Sequence, residues 1–299
     1  MGLGPSYHKG VFFNNAEVFL QPFYCDPTHD FSFFRYDPAE LKAYKVKEIP
    51  LCPEKAYSGM EFRIVSNNCN EMMSVHSGEL SQLDRNVPEY EANRDCNTFY
   101  IQSSTTCDGG SSGSPVVNID GEAVALMAGG TIMASSNFFF PLHRAAYALD
   151  YIRRNEIPPR GTMQAVFTHI THSEAERRAL STETAIEQGL DVENTTGVLS
   201  VESIIAMGPA DGKLKVGDIV ISINNKPIPG FIEMSEIVDS SVGKEVDIRV
   251  FRDKQICDIA VPVQDFYSIT PSRLLHLGNS WLHDMSFLLA AINSVPISG

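Results

Sequence analysis

The most chemically suggestive stretch of this 299-residue chain is Cys-Asp-Gly-Gly-Ser-Ser-Gly-Ser-Pro-Val-Val at 107–117. A serine hydroxyl becomes a useful nucleophile only when a base takes its proton and N–H donors stabilise the resulting oxyanion. Glycines beside the serine let the backbone turn two N–H groups toward one point. Ser112 lies between Gly110 and Gly113, so the N–H groups of Gly110 and Ser112 can form such an oxyanion hole. Taken alone, the stretch fits either a nucleophile turn or a mobile Gly/Ser loop.

The sequence lacks residues that other catalytic motifs and cofactor sites require. The G-x-S-x-G elbow of α/β-hydrolases would need glycine where Ser114 stands. A phosphate-binding loop would need Gly-Lys-Ser/Thr, which does not occur in the sequence. The six cysteines are scattered without a CxxC pair, which indicates neither a metal site nor a disulfide framework. We therefore expect no metal and no cofactor.

Composition narrows the class of protein and of partner. A net charge of −14 without a basic stripe argues against nucleic-acid binding. The first residues lack the apolar core of a signal peptide, and no apolar run approaches the ~20 residues that span a bilayer. We expect a soluble intracellular protein that does not bind membranes, and a homo-oligomer stays possible.

The turn must be positioned by strands. Residues 11–140 are mostly short segments rich in Val, Ile, Phe and Tyr between Pro, Asn and Gly, which is typical of a barrel or sandwich. A helix is predicted over Leu142–Asn155, and the prolines in Ile157–Arg160 mark a domain boundary. The clearest strand predictions are Glu17–Tyr24, Phe31–Tyr36, Glu61–Val65, Thr98–Gln102 and Ala123–Met127.

A second unit follows over residues 161–263, and its pattern predicts a small sandwich with two helices. One helix is expected to start at the capping box Ser173-x-x-Glu176, and the other spans Phe231–Asp239. The segment Thr182–Asn194 between the helices has no assigned role. Strands are predicted over Gly161–Ile170, Gly197–Ile205, Leu214–Ile223, Glu245–Phe251 and Ile256–Val263.

The flanks of the serine turn resemble the HtrA type of trypsin-like serine protease. Gly110–Pro115 reads Gly-Ser-Ser-Gly-Ser-Pro, which aligns with the G-N-S-G-G-P signature of that family, and the similarity continues through Val116–Val124. Asp26–Phe31 reads Asp-Pro-Thr-His-Asp-Phe, as in the fungal branch of nuclear pro-apoptotic HtrA-type proteases. The likeness runs from about Gly4 to the C-terminus. It implies a mostly β fold: a partial trypsin-like double β-barrel followed by a PDZ domain. The location that we expect is the nucleus, as the resemblance implies, or the cytoplasm.

The resemblance assigns roles position by position. Ser112 matches the nucleophile, Gly110 the oxyanion-hole glycine, and Asp30 the acid that orients the catalytic histidine. The strand Leu126-Met127-Ala128 would line the pocket for the first substrate residue and favour a small or apolar side chain there.

The histidine that should complete this set is missing. The trypsin-like order is His, Asp, Ser, yet only His8 and His29 precede Asp30. His29 is adjacent to Asp30, and neighbouring residues of a strand point to opposite faces. His8 follows Gly4-Pro5, whereas the family's histidine precedes the matching Gly-Pro. The matching histidine would therefore lie before Met1, and the remaining histidines are expected to be structural.

The second unit resembles the PDZ domain of HtrA proteases in Gly197–Val201, Gly208–Ala210 and Leu214–Asn224. Such a domain accepts an extended peptide as an added strand beside its helix and captures the peptide's C-terminal carboxylate with loop N–H groups. That loop would be Gly161-Thr162-Met163-Gln164, which departs from the Gly-Leu-Gly-Phe type.

The domain organisation and two functions follow. We expect a trypsin-like protease domain with an incomplete N-terminal barrel over 1–156, a PDZ domain over 157–265, and a linker with the start of a truncated second PDZ-like module over 266–299. One reading is a serine endopeptidase acting on protein or peptide substrates through an acyl-enzyme on Ser112. The other is a catalytically inactive fragment or pseudoprotease that binds peptide C-termini at the PDZ groove, because the histidine is absent.

Overall fold

The computed structural model describes residues 7–12, 16–41, 46–67, 73–88, 95–105, 110–131 and 136–297. Ten strands and one helix form the first part. They are β1 (Lys9–Phe12), β2 (Ala16–Phe19), β3 (Gln21–Cys25), β4 (Ser32–Arg35), β5 (Glu61–Ser66), β6 (Ser74–Asn86), β7 (Phe99–Ser103), β8 (Pro115–Val117), β9 (Ala123–Thr131), β10 (Ser136–Pro141) and α1 (His143–Arg153).

Six of these strands close into a barrel in the order β10-β7-β6-β5-β8-β9. Alternate residues of β5 point inward, so Phe62 and Ile64 are fully buried while Glu61 and Val65 are exposed. The core is filled by large apolar side chains, including Leu80, Ile101, Val116 and Phe139. The serine turn enters β8 directly, so the barrel wall fixes its position.

The first four strands make two separate hairpins. β1 pairs with β2 and β3 with β4, each as a two-stranded antiparallel sheet. Among the described residues, these hairpins do not close into a second barrel. They leave several aromatic side chains exposed, including Phe19, Phe23 and Phe34.

The second part contains β11 (Gly161–Thr162), β12 (Ala165–Thr171), α2 (His172–Arg177), α3 (Thr182–Glu187), β13 (Gly197–Ile204), β14 (Ile219–Ile223), β15 (Lys226–Pro227), α4 (Phe231–Ser240), β16 (Glu245–Arg252), β17 (Gln255–Pro262) and β18 (Gln264–Asp265). The main sheet has the order β12-β13-β14-β16-β17, with β15 on β14, and β12 is its outer strand. α4 buries Phe231, Met234 and Val238 against this sheet.

One turn with two asparagines and one helix cap show how local sequence sets these elements. Asn224 and Asn225 both have positive φ (51° and 60°) in the turn from β14 to β15, as a type I′ hairpin turn requires. The cap of α2 differs from the prediction: Thr171, not Ser173, accepts the N–H of Glu174 at 3.2 Å. Thr171 is the last residue of β12, so strand end and helix cap coincide.

The segment without an assigned role forms part of the core, and the second part carries three helices where two were predicted. Ala185 of α3 and Leu190 after it pack with Leu180, Ile221 and Phe251. This segment therefore covers one face of the sheet with apolar side chains.

The C-terminal residues form β19 (Leu275–Leu277), β20 (Ser280–Leu282) and α5 (Phe287–Asn293). Phe287 and Ala290 of α5 pack on Phe266, Ile205 and Cys96. No helix in the described ranges is long and apolar enough to cross a membrane.

Candidate active site and peptide groove

The serine turn is held by hydrogen bonds from its own backbone to β9. Gly113 N–H donates to the carbonyl of Met127 at 2.7 Å, and Met127 N–H donates to the carbonyl of Ser114 at 2.8 Å. Gly110 and Gly113 have φ of +100° and +82°, a region that favours glycine. Ser112, between them, is exposed. Its N–H meets no acceptor within the described part of the chain, whereas those of Gly113 and Ser114 are used.

A buried hydroxyl anchors the turn from below. Ser111 is 1% exposed, and its Oγ lies 3.3 Å from Oγ of Ser66 at the end of β5. The two neighbouring serines therefore face opposite ways, with Ser111 inward and Ser112 outward. This arrangement presents a hydroxyl to solvent on a turn that is hydrogen-bonded to β9.

The strand assigned to the substrate pocket lies beside the turn. The Ser112 hydroxyl donates to the carbonyl of Ala128 at 3.3 Å, so nucleophile and strand are in contact. The side chain of Met127 is buried in the barrel core, while Leu126 and Ala128 pack on the opposite cluster around Phe140. The strand therefore offers its backbone, not the side chain of Met127, to the space beside Ser112.

The acid assigned by resemblance lies in a tight turn between β3 and β4. Asp30 is exposed, and its carboxylate accepts no hydrogen bond from the described residues. The neighbouring imidazole of His29 is buried, and its Nδ1 lies 2.8 Å from Oδ1 of Asp95. Tyr100 donates its hydroxyl to the other oxygen of Asp95 at 3.1 Å. The buried His–Asp pair beside this turn is thus His29–Asp95, and within the described ranges Asp30 is hydrogen-bonded to no histidine.

All eight histidines of the sequence lie in described ranges, and Ser112 is hydrogen-bonded to none of them. His76 lies 3.3 Å from the hydroxyl of Ser74, and His172 contacts Thr195 at 3.0 Å. His143 is partly buried, burial lowers its pKa, and its Nδ1 finds no partner in the described part of the chain. Within the described ranges, the structure pairs no base with Ser112.

The four residues assigned to carboxylate capture form a pinned segment. Gly161 donates its N–H to Oδ1 of Asp239 at 2.9 Å, and Gln164 donates to the hydroxyl of Thr162 at 2.9 Å. A Cβ at Gly161 would come within 2.3 Å of the Val238 carbonyl, so glycine is needed for close approach to α4. Met163 and Thr162 are buried. One loop N–H is therefore already occupied by an internal carboxylate.

A buried charge cluster joins this segment to the barrel side, and the sequence reasoning missed it. Arg160 donates to Asp239 at 3.1 Å and to Asp26 at 3.2 Å, and Arg144 of α1 donates to Asp239 at 2.6 Å. All four side chains are less than 10% exposed. Asp26 also accepts the backbone N–H of His29. Nothing in the local patterns around these residues indicates that they meet, because the hydrogen-bonded pairs are separated by 79, 95 and 134 residues.

Two family models match the chain. One described as a trypsin-like peptidase domain matches residues 5–126, and one described as a PDZ domain matches residues 188–263. The first match contains the serine turn, and the second contains β13 to β17 and α4.

Relatives and solved structures agree with these matches. The pro-apoptotic serine protease NMA111 of Yarrowia lipolytica is 41% identical over 301 residues, which cover 100% of this chain and 31% of that protein. The protein of the same name from Saccharomyces cerevisiae is 39% identical over 301 residues, covering 100% and 30%. This chain spans less than a third of the length of these relatives.

The fold is shared with HtrA-type protease AlgW. Its structure with a tripeptide has a TM-score of 0.60 at 19% identity, covering 86% of this chain and 81% of that one. Its structure with a decapeptide has a TM-score of 0.59 at 18% identity, covering 88% and 76%. Over residues 5–126 and 188–263, the chain therefore belongs to the trypsin-like peptidase and PDZ families, joined in the order of an HtrA-type serine protease.

Proposed function

We propose that this chain is the Ser112-bearing part of an HtrA-type serine endopeptidase. In the reaction, a base takes the proton of the Ser112 hydroxyl as its oxygen attacks a peptide carbonyl, and that proton passes to the leaving amine. Water then hydrolyses the acyl-enzyme, which releases the carboxylic acid and restores the Ser112 hydroxyl. The oxyanion of each tetrahedral intermediate is stabilised by the N–H groups of Gly110 and Ser112. Leu126, Met127 and Ala128 position the substrate from β9.

The observation that carries this proposal is the outward hydroxyl of Ser112 between two glycines with positive φ. A mobile Gly/Ser loop would not need Ser111 to be buried or the backbone of Gly113 and Ser114 to be hydrogen-bonded to β9. The base that activates Ser112 is not among the described hydrogen-bond partners of its hydroxyl. We assign Asp30 the role of the acid that would orient that base.

A second candidate is a peptide-binding module with a non-catalytic protease half. The hydrogen bond from Ser112 to the Ala128 carbonyl favours it, because an activated serine donates to an imidazole instead. Without its histidine, subtilisin loses roughly 10⁶ in rate. In this case the function is capture of an extended peptide between β12 and α4, beside Gly161, Thr162, Met163 and Gln164.

Fluorophosphonate labelling separates the two candidates. The probe reacts with activated serines, so the endopeptidase proposal expects a covalent adduct on Ser112 in the purified chain, found by peptide mass spectrometry. Ser112→Ala should abolish labelling, and Ser114→Ala in the same turn should retain it. An unlabelled chain with an intact fold would contradict hydrolysis by this chain and leave the peptide-binding module as the standing candidate.

A further inference from the structure

A cavity of about 280 Å³ lies between the barrel and the N-terminal half of α4. Its volume is near the lower end of the ~300–1,000 Å³ that small-molecule sites enclose. Side chains of the short turn Pro53–Lys55, of β6, of β7, of α1 and of α4 line it. The described lining includes neither β12 nor Gly161–Gln164, so this cavity is not the groove that would receive a peptide strand.

Much of the cavity lining is apolar. Leu83 of β6 packs against the barrel core, and Phe99 of β7 packs against the core of the second unit. The ring of Phe99 lies 4.8 Å from the ring of Phe231 on α4, in an edge-to-face contact. Ile101 of β7 also lines the cavity. The hydrophobic effect therefore favours an apolar body among these side chains.

The basic side chains of the lining add no uncompensated positive charge. Arg144 of α1 donates to Oδ2 of Asp239 at 2.6 Å and to the hydroxyl of Ser235 at 3.0 Å. Burial lowers the pKa of the His143 imidazole, and the charges of nearby carboxylates only partly offset that effect. His143 is therefore uncharged at neutral pH, and the charge of Arg144 is balanced by Asp239.

Two carboxylates of the lining lack a cationic partner among the described residues. Glu54 is exposed, and the neighbouring Lys55 is bonded to Glu122 at 2.6 Å instead. Asp84 of β6 accepts the hydroxyl of Thr196, which is an uncharged donor. The cavity is thus negatively charged, in a chain whose net charge is −14. A cleft lined by one sign of charge concentrates ligands of the opposite sign.

We propose that this cavity binds a small organic ammonium compound, whose apolar body packs on Phe99 and Phe231 and whose charged amino group pairs with Glu54. The carboxylates attract the cation and repel an anion of the same shape, so charge selects the ligand. The described lining includes neither Ser112 nor β12. The site is therefore independent of hydrolysis and of peptide binding.

Three probes with the same phenyl body and different charges test the proposal. They are phenethylamine, which is cationic at neutral pH, phenethyl alcohol, which is uncharged, and hydrocinnamate, which is anionic. Methyl NMR titrations follow Ile101 and Ile232, which both line the cavity, and the exposed Ile119 as a reference. The amine should bind at least about threefold tighter than the alcohol, as one partly exposed ion pair allows, and hydrocinnamate should bind more weakly than the alcohol.

Equal affinities of amine and alcohol would overturn the preference for an ammonium group. Titrations without a saturable shift at Ile101 and Ile232, or with equal shifts at Ile119, would overturn the site itself.

Glu54→Gln tests the ion pair, because it removes the charge and keeps the size of the side chain. The affinity for phenethylamine should fall about threefold or more, to that for the alcohol, and the affinity for the alcohol should not change. Glu79→Gln is the matched control, since Glu79 is an exposed carboxylate of β6 outside the lining. An equal loss in both variants would mean that only net charge matters and would refute the pairing with Glu54.

Ile232→Trp tests the location of the ligand. Ile232 is 36% exposed at the edge of the cavity, so a larger side chain can enter the space without disturbing a core. All three probes should bind about tenfold or more weakly, since the space for the phenyl body is lost. Ile119→Trp changes a side chain that is 75% exposed outside the lining and should keep wild-type affinities. Wild-type affinities in Ile232→Trp, with an unchanged circular-dichroism melt, would place the probes elsewhere and contradict the proposal.

Discussion

At the scale of single residues, the buried charges near Arg160 make the stability of the folded state depend on pH in the acid range. Burial disfavours the ionised form of Asp26, but the Arg160 guanidinium and the N–H groups of His29 and Thr28 outweigh it and hold the pKa of this carboxyl below its ordinary 3.8. A carboxyl with a lowered pKa in the folded state stabilises that state above its ordinary pKa. This stabilisation is lost as pH falls below about 3.8.

Asp26→Asn should therefore flatten the acid dependence of stability. We expect the variant to have a lower thermal midpoint than wild type at pH 7, since Arg160 loses a buried partner, and a smaller further drop between pH 5 and pH 3. Asp30→Asn changes an exposed carboxylate of the same turn and should keep the wild-type profile. Parallel wild-type and Asp26→Asn profiles in circular-dichroism melts would refute this assignment.

Gly161 gives a second residue-scale prediction. Gly161→Ala places a methyl group 2.3 Å from the backbone carbonyl of Val238, where neither side can yield without moving α4. Overpacking of this kind costs about 1–3 kcal/mol. Urea unfolding should show that loss, and a variant as stable as wild type would mean that β11 and α4 are not closely packed.

At the scale of elements, α3 and the segment after it act as core and not as an insertion. Leu190 is 5% exposed and packs with Val198 and Ile219, whereas Ile186 on the same segment is 54% exposed. Leu190 and Ile186 are therefore a matched pair of aliphatic side chains, one buried in the core and one exposed to solvent.

Leu190→Ala should destabilise the fold by about 2–5 kcal/mol, because it removes buried methyl groups and leaves a cavity. Ile186→Ala should stay within about 0.5 kcal/mol of wild type. Urea unfolding measures both. Similar values for the two variants would show that this segment does not pack on the sheet.

The elements also show how far sequence reasoning extends. Glu61–Val65 was predicted as a strand and β5 is Glu61–Ser66, while Phe231–Asp239 was predicted as a helix and α4 is Phe231–Ser240. Both have a clear apolar period. The start of α2 was predicted two residues late, because Ser173 and Thr171 both offer a hydroxyl three residues before Glu176 or Glu174. Local pattern identifies a capping motif but does not choose between overlapping ones.

In the candidate site too, one part follows from local sequence and another does not. The glycines and serines of the turn form one continuous stretch, so its shape could be predicted from sequence. The contact of Asn97 with Phe167 spans 70 residues and that of Asn86 with His169 spans 83, and neither asparagine has a distinctive neighbourhood. Such contacts are set by how two folded units dock, and the apolar periodicity within a single segment does not predict that.

At the scale of the whole molecule, Asp239 connects the two halves. It accepts from Arg144 at the barrel side, from Arg160 in the linker and from the Gly161 backbone. Removing one member of a buried ionic group leaves uncompensated charge and costs about 3–5 kcal/mol.

Asp239→Ala should therefore uncouple the halves. We expect its calorimetric trace to resolve into two transitions, with wild type unfolding in one. Asp258→Ala breaks an exposed pair with Arg249 and should leave the trace unchanged, since such pairs contribute about 0–1 kcal/mol. A single transition in the Asp239→Ala trace would show that the apolar contact between the halves couples them without this group.

The closed barrel has a consequence for a newly made chain. Its six strands all lie within residues 61–141, and β12 begins at 165. Translation adds about 5–20 residues per second, and domains fold as they emerge from the N-terminal side. The barrel thus exists for several seconds before the PDZ sheet is complete. Asn86 and Asn97, which are hydrogen-bonded to the outer edge of β12, are therefore already in place when that strand forms.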